Sequence, residues 1–239
     1  MKKVLFFVML LFIITTVMAE QSSPAIVNAE GFTEVWDAQQ LKAAIQENSS
    51  AKIQLMKDID AAKIGTICST FSGTITGKHR TYSPELQKEI DAMYNIVGSR
   101  SNATVGDDKT DSPLFDKVDG ATFEYLYFLD FRVEEDIANG GKLGLIAKVA
   151  ENSNFTNLGF EEISIFEDND YAGVIAGTAK NCHCTYILSK FCDVTTDGWG
   201  AGGLVGQSEN SEFETCMIAI SSPTYDDGSY DARAGGVVG

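Results

Sequence analysis

The amino-acid sequence predicts an all-β solenoid, in which each strand-rich coil stacks on the one before it. Two observations carry this prediction. A short glycine-containing segment recurs with successive starts 31, 29, 29 and 33 residues apart, and such a period is typical of repeat architectures. Between the segments, apolar residues alternate over short stretches as they do in β-strands. The copies of the segment are residues 112–117, 143–148, 172–177, 201–206 and 234–239.

Apolar residues also recur at fixed distances from the segment starts, which predicts inward-facing columns when the coils stack. The first unit joins the same columns after a one-residue deletion. We therefore expect these positions to lie in the core. The columns are Phe123, Phe155, Cys184 and Phe213; Leu126, Leu158, Ile187 and Cys216; Phe128, Phe160, Ser189 and Ile218; Phe131, Ile163, Cys192 and Ser221; and Val133, Ile165 and Val194.

The length of the unit narrows the choice of repeat. It is shorter than a propeller blade, and it contains no amphipathic helix of the length that helical repeats need. One coil of about three strands fits, with coils stacked at the usual strand spacing of roughly 4.8 Å. The glycines of the segments are expected where the backbone turns or approaches another strand closely.

The N-terminal half predicts a cap and an insertion. Asp37 followed by Gln40 is an N-cap pattern, and it precedes apolar residues on one face of a short capping helix. Residues 78–111 are polar and predict a protruding insertion, with a helix over residues 85–94. The expected divisions are a signal peptide at 1–19, a linker at 20–31, the cap and first coils at 32–77, the insertion at 78–111, and tandem coils at 112–239.

Residues 1–19 have the features of a cleaved secretory signal peptide. Lys2 and Lys3 precede an apolar stretch that is too short to span a bilayer, and Ala19 provides the cleavage site. We therefore expect a secreted or cell-surface protein without a membrane span in the mature chain. The formal net charge of −16 argues against a nucleic-acid partner, because phosphate backbones are bound through Lys and Arg.

Two stretches resemble known families. Ala-Gly-Gly-Leu-Val-Gly at 201–206, followed by Asn210, Phe213 and Cys216, resembles the GLUG motif of bacterial secreted and cell-surface proteins. The segment 36–77 resembles the N-terminal opening of pectin-lyase-like β-helices. These resemblances imply a right-handed parallel β-helix. The GLUG motif carries architecture and no catalytic residue, so it implies no activity.

Two neighbouring cysteines and a histidine suggest a metal site, but the spacing of these residues does not favour one. Cys182 and Cys184 flank His183. In a strand, residues two apart share a face and the residue between them faces the other way, whereas structural zinc needs four converging ligands. We expect Cys184, Cys192 and Cys216 to be buried free thiols in the apolar columns. No catalytic, cofactor-binding or metal-binding residue is assigned from the sequence.

Acidic residues cluster shortly before the segment starts, and two interpretations remain open. Stacked loops could supply the oxygen ligands of Ca²⁺. Alternatively, they are solvated loops that keep the protein soluble. The clusters are Glu134, Glu135 and Asp136; Glu167, Asp168 and Asp170; Asp193 and Asp197; and Asp226, Asp227 and Asp231.

The function predicted from the sequence is a binding, adhesion or scaffold module, with a carbohydrate or a host or cell-surface protein as partner. The alternative is a carbohydrate-active β-helix enzyme such as a polysaccharide lyase, although the few basic residues form no recognisable catalytic cluster. Trp199, Tyr225 and Tyr230 lie in the acidic loops and are the candidate ligand-stacking residues.

The C-terminal segment predicts a further coil. Residues 234–239 have the sequence of an opening strand, and the rest of that coil does not follow. We expect either that the sequence is part of a longer protein or that this end pairs with another chain.

Overall fold

The structure of the chain, a computed structural model, is a parallel β-solenoid of about four turns with a single short helix in the part that is described. It describes residues 26–62, 64–99, 111–135, 141–167, 170–196, 198–219, 222–225 and 233–239. The predicted signal peptide, at 1–19, and the first half of the predicted linker, at 20–25, lie outside these ranges. Within them, the 10-residue helix is not long enough to cross a membrane.

The elements follow the chain in a regular order. The helix α1 spans Ala38–Glu47. The strands are β1 (Ile26–Val27), β2 (Thr33–Val35), β3 (Lys52–Leu55), β4 (Ile59–Asp60), β5 (Cys68–Phe71), β6 (Thr74–Thr76), β7 (His79–Ser83), β8 (Lys88–Ala92), β9 (Tyr94–Val97), β10 (Phe115–Asp119), β11 (Thr122–Leu129), β12 (Arg132–Glu135), β13 (Lys142–Leu143), β14 (Ala147–Glu151), β15 (Asn154–Glu161), β16 (Ser164–Glu167), β17 (Tyr171–Gly173), β18 (Ala176–Lys180), β19 (His183–Lys190), β20 (Asp193–Thr196), β21 (Gly200–Gly202), β22 (Val205–Glu209), β23 (Glu212–Glu214), β24 (Met217–Ala219), β25 (Ser222–Tyr225) and β26 (Arg233–Gly235).

Each full coil visits four sheets. The long sheet runs β1-β2-β3-β6-β11-β15-β19-β23, with β4, β9 and β24 beside this path. The chain then passes to the second sheet (β12-β16-β20-β25), the third sheet (β13-β17-β21-β26) and the fourth sheet (β5-β10-β14-β18-β22). The prediction of about three strands per coil was therefore one strand too low, because the segments 143–148, 172–177 and 201–206 each span the end of one strand and the start of the next, on either side of a tight bend.

The register of the stacked strands confirms the repeat. Segment starts pair with one another in succession, as in Leu143 with Ala172 and Ala172 with Ala201. The last segment pairs in the same way, through Ala201 and Ala234. Columns also pair as predicted: Phe123 with Phe155, Phe155 with Cys184 and Cys184 with Phe213; Phe160 with Ser189 and Ser189 with Ile218; and Ile165 with Val194.

The core is the inside of the coils. Phe155, Leu158 and Ile187 are fully or almost fully buried, as predicted. Stacked phenylalanines run between coils, with ring centroids 5.5 Å apart for Phe123 and Phe155. In the last turn, Phe213, Cys216 and Ile218 pack against the core but are only partly buried, because no described strand covers them from the far side.

The segment glycines are needed where two backbones meet. A Cβ at Gly177 would lie 2.5 Å from the amide nitrogen of Leu143 and 2.6 Å from the carbonyl oxygen of Tyr171. A Cβ at Gly206 would lie 2.6 Å from the amide nitrogen of Ala172. The third sheet therefore packs against the start of the fourth without room for any side chain, which confirms the expected close approach.

An asparagine ladder closes the corner between the fourth sheet and the long sheet. Asn152, Asn181 and Asn210 occupy equivalent positions with φ of 49°, 52° and 52°, and Gly120 takes the place in the first coil with φ of 72°. Asn and Gly are the residues that tolerate this left-handed conformation best. The Asn181 side chain donates a hydrogen bond of 3.2 Å to that of Asn152, which links successive coils.

The N-terminal cap forms as predicted. Asp37 is the N-cap of α1, and its Oδ1 accepts a hydrogen bond of 2.8 Å from the Gln40 amide. Leu41, Ala44 and Ile45 are the buried face of the helix. The helix therefore contributes an apolar face to the first coils, and its polar positions face outward.

The predicted helix over residues 85–94 is wrong. Residues 79–92 form an antiparallel hairpin of β7 and β8, whose strands are joined by five residue pairs. Tyr94–Val97 then returns to the long sheet, where it pairs with β11 and β4. The hairpin lies within the predicted insertion, of which residues 100–110 are outside the described ranges.

Candidate functional site

The residues predicted to stack on a ligand are only partly described. Trp199 is 55% exposed, and it stands at the corner between the second and third sheets, where its amide donates a 2.7 Å hydrogen bond to the carbonyl of Asp170. Tyr225 ends β25, but its side chain lies outside the description. Tyr230 also lies outside the described residues. The structure thus places one exposed aromatic ring at this corner.

The cysteines occupy two kinds of position, and all five are free. Cys184 and Cys192 are buried in apolar columns, and Cys216 is half-buried. Cys182, which the columns did not include, replaces serine in a corner ladder. Its Sγ donates to the carbonyl of Lys180 at 3.4 Å, as the Ser153 hydroxyl does to Glu151. Burial raises the pKa of these thiols, so they are protonated at neutral pH.

We expect Cys182→Ser to change the free energy of unfolding by less than about 0.5 kcal/mol, because serine already fills the ladder position in neighbouring coils. Cys184→Ser should instead lower it by about 1–3 kcal/mol, because a hydroxyl would be buried in the phenylalanine column without a partner. Urea denaturation of the two variants measures this difference, and equal losses would contradict the two environments.

The described residues contain no group of three His, Cys, Asp or Glu side chains arranged to hold a metal ion. His183 points outward while Cys182 and Cys184 are buried, as the alternation predicts, and its Nδ1 lies 3.0 Å from Glu212. Several of the acidic loop residues, including Asp136, Asp168 and Asp197, lie outside the description. The calcium interpretation of these loops stays a prediction.

The outer face of the long sheet brings together residues that the sequence analysis did not select. Tyr125 and Tyr186 occupy equivalent positions two coils apart, which is about 10 Å. Both have a left-handed backbone, with φ of 54° and 57°, and Asn157 fills the same position in the coil between them with φ of 52°. Next to this row, Tyr127 pairs with Gly159 and Leu188 follows. Tyr186 is 54% exposed.

Tyr127 is held in one orientation on this face. Its ring occupies the space that a Cβ at Gly159 would need. Its hydroxyl donates a 2.6 Å hydrogen bond to Glu161, and Lys190 lies 2.9 Å from the same carboxylate. The ring is therefore fixed at both ends before any ligand arrives.

This small cluster shifts the titration of its members. The hydrogen bond from Tyr127, followed by that from Lys190, lowers the pKa of Glu161. Burial, followed by the hydrogen bond to Glu161, raises the pKa of Tyr127. The hydrogen bond to Glu161 raises the pKa of Lys190. At neutral pH the cluster thus holds a carboxylate, a neutral phenol and an ammonium group.

We expect Tyr127→Phe to raise the pKa of Glu161 toward its ordinary value, because the largest lowering contribution is removed. A lowered carboxyl pKa stabilises the fold above the unfolded-state pKa, and that stability is lost as pH falls through the folded-state pKa. Carbon-13 NMR titration of the Glu161 carboxyl measures the change. Tyr125→Phe, on the same face but without a contact to Glu161, is the control and should leave that pKa in place.

Among the described residues, two surface cavities are large enough to hold a small ligand. One, of about 380 Å³, lies on the outside of the fourth sheet. Its lining includes Lys142, Thr178 and Gln207, and the Lys180–Glu209 ion pair of 3.0 Å closes one side. The other, of about 340 Å³, lies at the N-terminal end of the long sheet. Its lining includes Glu34, His79 and Tyr94, which come from β2, β7 and β9.

Comparison with known proteins yields no relative. No protein-family model, no curated protein and no solved structure matches this chain. The fold therefore defines the class, a parallel β-solenoid of about four turns, and no family is identified.

Proposed function

We propose that this chain is an exported binding module, and that the outer face of its long sheet binds an extended, uncharged or cationic glycan. The observation that carries the proposal is the pair of tyrosines two coils apart, beside the fixed ring of Tyr127. Aromatic rings offer a flat apolar surface, and nearby hydroxyl and amide groups supply the few hydrogen bonds that orient a ligand.

The backbone at the tyrosine positions supports this assignment. A left-handed conformation costs a bulky residue on the order of 1 kcal/mol. In the neighbouring coil the equivalent position is Asn157, a residue type that tolerates this conformation well. The tyrosines are thus placed where the local backbone does not favour them. Because the strands themselves do not favour tyrosine at these positions, we infer that the rings serve a ligand.

The negative net charge of the chain restricts the class of ligand that it can bind. The chain carries 34 acidic against 18 basic residues, and such a field repels polyanions over a Debye length of about 8–10 Å. Nucleic acids and uronate polymers are therefore disfavoured as partners. A neutral polysaccharide meets no such barrier, and a cationic one is attracted.

The expected export and the resemblance to the GLUG motif and to pectin-lyase-like β-helices fit this role. The predicted signal peptide at 1–19 would place the solenoid outside the cell, where glycans are abundant. A right-handed β-helix of bacterial surface type is the finer assignment that these resemblances imply. The alternative function, a polysaccharide lyase or hydrolase, stays a prediction, and the same binding experiment can test it when turnover is monitored.

The test compares two surfaces of the same protein. Tyr186→Asn removes the exposed ring but supplies the residue that the equivalent position in the preceding coil already holds, so the fold should be retained. We expect it to weaken binding of a neutral oligosaccharide selected from a glycan array by about tenfold. Isothermal titration calorimetry measures the affinity.

Trp199→Ala is the matched control, because Trp199 is equally exposed but stands at the corner between the second and third sheets. It should change the affinity by less than about twofold. Loss of binding in Trp199→Ala with none in Tyr186→Asn would overturn the long-sheet assignment and favour the loop surface predicted from the sequence. Release of shortened or unsaturated sugar would favour the enzyme.

A further inference from the structure

The cavity at the N-terminal end of the long sheet, here the N-terminal pocket, continues the proposed binding face. Glu34 pairs with Gln54 and Gln54 with Thr76, and the same column continues to Glu124 beside the tyrosine row. The volume of about 340 Å³ is at the lower end of the range for ligand pockets, roughly 300–1,000 Å³. It therefore suits a single small ring rather than a large ligand.

Two carboxylates in the pocket have no partner. Within the residues that the structure describes, neither the Glu30 nor the Glu34 carboxylate has a hydrogen bond or an ion pair, although both line the pocket. Lys78, the cationic side chain among the lining residues, does not compensate them. Lys78 is engaged with Asp91 at 3.0 Å, and its Nζ lies 4.6 Å from the ring centroid of Tyr125. The pocket consequently carries an excess of negative charge.

An aromatic wall completes the pocket. The rings of His79 and Tyr94 stack with centroids 4.0 Å apart and an interplanar angle of 19°. His79 Nδ1 lies 3.3 Å from the carbonyl of Gly77, which restrains the imidazole. Gln54 uses its amide nitrogen on the carbonyl of Lys78 at 2.9 Å, so its amide oxygen remains an acceptor. Aromatic faces and carboxylates together attract a cation that also donates hydrogen bonds.

We propose that the N-terminal pocket binds the protonated amine of an amino sugar, with Glu30 and Glu34 on the ammonium group and the His79–Tyr94 stack against the ring. The inference that the ligand is a sugar rests on the proposed function of the long-sheet face. The inference that this sugar carries an amine rests only on the residues of the pocket. The pocket would then select an amine-bearing unit of a glycan that lies along the tyrosine row.

The first experiment compares a glucosamine hexamer with an N-acetylglucosamine hexamer, since they differ in charge but share the ring and the linkage. Titration calorimetry with the folded chain should give about tenfold tighter binding of the glucosamine hexamer. The double variant Glu30→Gln/Glu34→Gln should abolish that preference and leave the N-acetylglucosamine hexamer unaffected. The control Glu162→Gln/Asp193→Asn removes the same formal charge where the chain passes from the long sheet to the second sheet, and it should keep the preference.

A second measurement does not depend on glycan binding by the long sheet. Backbone amide shifts of Glu30, Gln54 and His79 are followed by NMR during titration with monomeric glucosamine and, separately, glucose. Saturable shifts with glucosamine alone, lost in the double variant, support the pocket even if no oligosaccharide binds. Equal shifts with both sugars, no shift with either, or a preference that survives in the double variant overturns it. Oligosaccharide binding that depends on Tyr186 but not on charge would retain the proposed function and reject the pocket.

Discussion

Gly177→Ala should lower the free energy of unfolding by about 3 kcal/mol or more, because the added Cβ would overlap with neighbouring backbone atoms. The two nearest atoms are backbone atoms of the third sheet, 2.5 Å and 2.6 Å away, and the Lys142 Cβ follows at 2.7 Å. Side chains can rotate away from a new methyl group, whereas here the backbone of β18 would have to separate from the backbones of β13 and β17. Separation would also weaken the parallel pairing of Ala147 with Ala176 and of Ala176 with Val205.

Gly236→Ala is the control for this prediction. A Cβ at this exposed glycine would have nothing within 4 Å, so the change should be within about 0.5 kcal/mol. Urea denaturation followed by circular dichroism gives both values. If Gly177→Ala were as mild as Gly236→Ala, the glycines of the segments would serve only as turn residues, and the close packing of the third and fourth sheets would not explain them.

The sequence predicted the columns because they depend on a simple rule. Stacked coils place equivalent residues above one another, so a period of about 30 residues and an alternating pattern suffice to find Phe155 and Leu158. The same rule predicted the outward direction of His183. Neither the columns nor the direction of His183 depends on the contacts that a particular side chain makes with other coils.

The features that were missed depend on contacts between coils or on long-range pairing. Nothing in the sequence distinguishes Tyr127 from the other tyrosines. Its ring can lie on the sheet because the paired residue of the next coil, Gly159, has no side chain. Tyr125 and Tyr186 occupy equivalent positions of their coils, and this position does not belong to any of the apolar columns. A search for aromatic residues two repeat periods apart, outside the columns, would have found them, because positions 125 and 186 are separated by 61 residues.

The hairpin of β7 and β8 was mistaken for a helix for a different reason. Residues 85–90 include Glu, Leu, Gln and Lys, which favour helices. Propensity is a weak prior, and the partner strand at 79–83 supplies five cross-strand pairs that a helix would forgo. The alternation of His79 to Ser83 with Lys88 to Ala92 is visible only when both segments are compared.

Phe155→Ala should lower the free energy of unfolding by about 3–5 kcal/mol, the usual cost of truncating a fully buried phenylalanine. Its ring is 0% exposed and stacks on Phe123, so the cavity would open between two coils that cannot collapse without breaking their register. Phe213→Ala, in the same column but half-buried in the last turn, should cost only about 1–2 kcal/mol, since less surface leaves water on folding. Denaturant midpoints of the two variants, with unchanged slopes, measure the ratio. Equal costs would mean that the column is not continuous from coil to coil, and the inward register of the solenoid would have to be reassigned.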